Sequence, residues 1–107
     1  MSRSHTVELC GETLHFPVTF EAGERLANAG HDPLEAALGK PIKTARAVIA
    51  ILHVGAQCAG SKLTRQKIGE YVFDRGAVNF LADVNEYLSL FVDQAPEEPV
   101  SSGNGDQ

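Results

Sequence analysis

The sequence predicts an α+β domain, an N-terminal β-hairpin packed on a small bundle of four to five α-helices. Three observations predict it. Apolar and polar residues alternate with a period of two over residues 6–16. Helix-start signals then recur at Thr19, Asp32, Thr44 and Thr64. Residues 44–60, TARAVIAILHVGAQCAG, are apolar around nearly the whole circumference of a helix, which places that helix in the middle of a small globule.

Taken in order, Val7, Leu9, Leu14 and Phe16 form the apolar face of the hairpin, alternating with Thr6, Glu8, Thr13 and His15. The break at Gly11-Glu12 suits a tight reversal of the II′ type with Gly11 at its first central position. Pro17 ends the second strand, because it has no N–H to give to a ladder. Two strands alone are marginal, so their apolar face must lie on helices.

Thr19 caps a first helix to about Ala29, with Glu21 and Glu24 near its positive end and Gly30 as its stop. Phe20, Gly23, Leu26 and Ala27 are its expected inward face. Asp32-Pro33-Leu34-Glu35 combines a capping Asp, proline at the first helical position and an acid three residues beyond the cap. That helix is short, ending before Gly39, and Pro41 prevents its continuation. Thr44 caps the central helix, where Ala47, Ala50, Gly55, Ala56 and Ala59 let neighbours approach closely. Thr64 caps a helix over residues 65–75, with Ile68, Val72 and Tyr71 toward the core and Arg65, Gln66, Lys67 and Glu70 toward water. Gly76 breaks the chain before a last helix over residues 77–93, whose stripe is Phe80, Leu81, Val84, Leu88 and Phe91, with Tyr87 at its margin. Residues 1–93 therefore read as a single globular domain. Residues 94–107, QAPEEPVSSGNGDQ, offer no large apolar residue but Val100 and read as a disordered polar, acidic tail, dispensable for folding.

At 107 residues the chain can bury one core without staples. A net charge of −5, from 14 acidic and 9 basic side chains, favours solubility and disfavours indiscriminate binding to phosphate backbones. The central helix is interrupted by Arg46, His53 and Gln57 and is too short for a bilayer, which needs about 20 apolar residues. No signal-like apolar run follows Met1-Ser-Arg-Ser, so the expected setting is cytoplasmic, with Cys10 and Cys58 reduced.

Cysteines and histidines invite a search for thiol or metal chemistry. Cys10 and His15 are expected on opposing strands, and His53 and Cys58 are five apart on the central helix. That spacing separates them by about 140° around the axis, so they share no face. No C-x-x-C or H-x-x-x-H pairing accompanies them, and no phosphate loop or nucleophile elbow is present. No catalytic residue, cofactor or metal ligand is expected. A helix-turn-helix is the other temptation, since Lys62, Arg65, Lys67 and Arg75 precede the last helix. That last helix, however, offers Asn79, Asp83, Asn85 and Glu86 outward, a poor match for phosphates. The basic residues read better as a solvated face or as a patch for an acidic protein partner.

The order of elements carries one resemblance. VELCGETLHFPVTFEAGERL, then the D-P-L-E helix, the Ala-rich central helix and LTRQKIGEYV together resemble the phage tail assembly chaperones, specifically the gene transfer agent-like tail protein family, over residues 7–92. The resemblance implies a non-enzymatic protein that binds the tail tape-measure protein, keeps its apolar helical segments soluble, helps recruit the tail tube protein and is absent from the finished particle. In some relatives a frameshifted longer product exists. Such a carrier needs an apolar groove for amphipathic helices; the hairpin edge and the last helix are the surfaces expected to supply it. Aromatic anchors are expected among Phe73, Tyr87, Tyr71 and Phe91, with core packing the competing role for each and the favoured one for Tyr71 and Phe91. A monomer or homo-dimer is expected, since hairpin edges can pair. The alternatives are a small helix-turn-helix DNA-binding regulator and a structural tail component. A basic outward face on the last helix would favour the regulator; a neighbouring gene for a very long coiled coil would favour the chaperone.

Overall fold

The computed structural model describes residues 4–37, 42 and 44–92. Gly39, Pro41, Asp93 and the tail over residues 94–107, for which the sequence carries expectations, lie outside the described residues. The architecture is the α+β one expected, a two-stranded antiparallel hairpin followed by five α-helices.

Strands β1 (Ser4–Leu9) and β2 (Glu12–Pro17) pair in the register Val7↔Leu14 and Leu9↔Glu12. Val7, Leu9, Leu14 and Phe16 are all buried, and the alternate residues face out. Because Leu9 and Glu12 close the ladder, the turn consists of Cys10 and Gly11, both with positive φ (52° and 83°). This is the I′ pattern rather than the expected II′, and Cys10 occupies the turn rather than a strand. Positive φ at both central residues matches the right-handed twist of the strands.

Helices α1 (Phe20–Asn28), α2 (Pro33–Ala37), α3 (Ala45–Cys58) and α4 (Arg65–Arg75) begin where the capping residues place them. Thr19, Thr44 and Thr64 accept through their hydroxyl oxygens from the backbone N–H of Ala22, Ala47 and Lys67, and Asp32 accepts from Leu34. Helices α1 and α3 end alike: His31 N–H donates to Leu26 and Gly30 to Ala27, then Ser61 to Ala56 and Gly60 to Gln57. Paired bonds of this kind satisfy the last carbonyls of a helix. After Gly76 the chain makes a 3-10 turn (Ala77–Phe80) before α5 (Leu81–Val92), where the sequence predicts one helix throughout. Asn79 explains the difference in part, since its amide donates 2.7 Å to the Arg75 carbonyl and holds the chain against the end of α4.

Helix α3 is the centre. It packs against α1, α4, α5, β2 and the 3-10 turn, and every residue from Ala47 to Ala56 is buried except His53. Gly55 faces the Phe16 ring so closely that a Cβ there would overlap it. Tyr87 lies against Phe16 and Phe91 in edge-on contacts at 5.3 and 5.1 Å, and Phe91 in turn lies over Gly23. On α1 the expected inward face holds at Leu26 and at Gly23 under Phe91, but Ala22 is buried beside them while Phe20, 82% exposed, and Ala27 face water. Small Ala22, rather than the bulky ring two residues earlier, occupies the covered position. Between the hairpin and α5, His5 meets Asp83 at 3.1 Å.

Candidate functional site

Of the four aromatic anchors expected from the sequence, Tyr87 and Phe91 are brought together in edge-on contact, and the four form no common surface. Phe73 alone stands clear of the core, 69% exposed. Tyr87 is the opposite case and corrects the expectation that it reaches a partner, being only 1% exposed. Its ring fits inside because its hydroxyl has a donor's role there, 2.7 Å from the carbonyl of Pro17 at the end of β2. Burial raises its pKa well beyond the ordinary tyrosine range. Phe91 is half-buried against Tyr87. Tyr71 is also half-buried, tilted against Phe80 at 6.0 Å, with the Arg75 guanidinium 4.7 Å over its ring.

Phe73 borders an apolar cleft of about 430 Å³ between α3 and α4, lined also by Ile49, Gly69, Gln66, Arg46 and Arg65. Helical spacing accounts for it. Gly69 and Phe73 are one turn apart on α4, and the missing side chain at Gly69 leaves Ile49 of α3 as a floor with Phe73 as a wall. This surface belongs neither to the hairpin edge nor to the last helix.

A second hollow, of about 620 Å³, adjoins the first and shares Arg46 and Arg65 with it. Its floor is Ala47 and Ala50 of α3, and its sides include Ala29, His31 and Thr44. Arg46, His53 and Gln57, which interrupt an otherwise apolar helix, lie seven and four residues apart and therefore align on one face. That spacing was the signal in the sequence that α3 is uncovered along one stripe. Burial first, and Arg65 second, lower the pKa of both His31 and His53.

No family model, curated protein or solved structure matches this chain. The surface itself must therefore carry the functional argument.

Three of the four polar residues expected to face outward ahead of or along α5 are engaged elsewhere. Asn79 bonds to Arg75 and Asp83 to His5, while Asn85 accepts from Ile42 N–H at 3.0 Å and donates to Leu81. Glu86 remains exposed. Cys10 and Cys58 are free thiols whose pKa values burial raises, which keeps them protonated and poorly nucleophilic at neutral pH. Among the described residues no group of three His, Cys, Asp or Glu side chains converges as a metal site. Also among the described residues, no helix is long and apolar enough to cross a membrane.

Proposed function

We propose that the protein is a non-enzymatic binding module that holds an amphipathic helix of another protein, in the manner of a phage tail assembly chaperone acting on the tape-measure and tail tube proteins. The cleft between α3 and α4 carries this reading, since it is apolar, open and edged by the exposed Phe73 ring. An aromatic ring offers a large contact area at little rotational cost, and an apolar channel between two helices accepts the apolar stripe of a third. The regulator alternative draws less support, because α5 carries no lysine or arginine and its exposed charge, Glu86, would repel phosphates.

Co-expression with a tail tape-measure protein, followed by affinity capture, tests the proposal. Retention of that protein and a rise in its soluble fraction are expected, with tail tube protein as a second bait. Phe73→Ser is expected to reduce retention while leaving the melting temperature nearly unchanged, as exposed sites do. Failure to retain either bait would remove the chaperone reading.

A further inference from the structure

The hollow beside the cleft gathers cationic side chains that have no ion-pair partner among the described residues. Arg46 and Arg65 are exposed at its rim, with His31 on one side and His53 along the same face of α3. The ion pairs among the described residues are His5–Asp83 and Arg25–Glu21, so neither Arg46 nor Arg65 has a carboxylate partner there. Arg65 is the charged group that both imidazoles sense. Yet the chain as a whole carries −5. Cations clustered on an acidic protein without counter-charges repel one another, and a bound carboxylate relieves that repulsion.

The floor fits such a visitor. Ala47 and Ala50 are small, so a partner backbone can come close to α3, and Arg46 and Arg65, which line the same hollow, can take carboxylates in their forked geometry. Because the two arginines also border the apolar cleft, one ligand can engage both hollows at once.

We propose that this hollow receives the carboxylates of an acidic amphipathic helix of a partner protein, whose apolar residues seat against Ile49, Gly69 and Phe73. The inference rests on the helix-binding reading above and adds the charge that the helix must carry. Arg46 and Arg65 then select acidic segments over neutral ones, and Phe73 supplies contact that does not depend on charge.

Two synthetic peptides test it on the full chain. Both carry one leucine stripe at helical spacing, flanked by glutamates in one and by glutamines in the other. By fluorescence anisotropy at about 50 mM salt, the glutamate peptide is expected to bind roughly tenfold more tightly. That advantage should shrink at about 300 mM salt and disappear in the Arg46→Gln/Arg65→Gln variant. Amide shifts at Ala47, Ala50 and His53 on titrating the unmodified protein give a readout that needs no variant to fold. Equal binding of the two peptides, still weakened by Phe73→Ser, would overturn the acidic selection and leave the apolar groove standing. Binding of neither would overturn both. Displacement of the glutamate peptide by a short DNA duplex that binds more tightly would overturn the choice of a protein ligand in favour of nucleic acid.

Discussion

Two sides of the central helix each oppose a glycine to a large side chain, with opposite results. On one side Gly55 of α3 receives the Phe16 ring, which Tyr87 meets edge-on with Phe91 against Tyr87 in turn, and a Cβ would have no space. On the other, Gly69 of α4 faces Ile49, where an added Cβ would make only ordinary contact at 3.6 Å, and the space beside it stays open next to Phe73. The same residue type closes the core in one place and leaves a groove in the other. What differs is whether the partner ring points into the gap or stands beside it. A glycine inside a helix costs about 1 kcal/mol relative to alanine. At Gly55 close packing offsets that cost; at Gly69 nothing in the fold does, which is the pattern expected of a position shaped for a partner.

Substitutions at the two glycines separate these roles. Gly55→Ala should lower stability the most, by about 3 kcal/mol, because Phe16 is buried and has nowhere to retreat; an unchanged urea midpoint would show that the ring can move. Tyr87→Phe leaves the Pro17 carbonyl without its donor and should cost about 1 kcal/mol, since Pro17 is only half-buried and regains some water. Gly69→Ala should instead raise stability by about 0.5–1 kcal/mol while weakening capture of the helical partner, because it begins to fill the cleft. A gain in stability with full binding would detach Gly69 from the groove.

The smallest expected effect is on the open side and concerns pH. His31 and His53 are held below the ordinary imidazole value of 6.5 by burial and by Arg65. The unfolded chain therefore takes up these protons before the folded one does. Their contribution is complete above the unfolded value and is lost as pH falls through it toward the lower folded values. Thermal melts from neutral to mildly acidic pH should show a modest decline, reduced in a His53→Gln variant. A decline equally steep in that variant would place its origin elsewhere.

Much of the fold was legible because its signals are local. Thr19, Asp32, Thr44 and Thr64 announce helix starts through hydroxyl or carboxylate oxygens that reach the first turn, and strand alternation identifies Val7, Leu9, Leu14 and Phe16 as one face. The misjudged residues depend on distant partners. Tyr87 reads as marginal until the Pro17 carbonyl is seen to need its hydroxyl. Phe20 fits the helical stripe of α1 as well as Ala22 does, and only the packing of α1 on α3 distinguishes them. The groove was legible in part. Phe73 was a candidate, but its cleft depends on how α4 crosses α3, which no local spacing encodes. The spacing of Arg46, His53 and Gln57 does encode the uncovered face of α3, but against so apolar a circumference the helix reads as covered on every side.

The bond between Tyr87 and Pro17 spans 70 residues, and that between His5 and Asp83 spans 78. Both join the hairpin to the last helix. During synthesis the hairpin emerges ahead of α1, α2 and α3, and neither the hairpin nor α3 gains this cover until the last helix has left the ribosome. Long-range closures of this kind are slow, because the intervening chain must be ordered before they form. In that interval α3 presents an apolar surface of the sort that drives nascent chains to aggregate. On the reading proposed above, a protein that shields the apolar helices of others is, while being made, in need of the same protection.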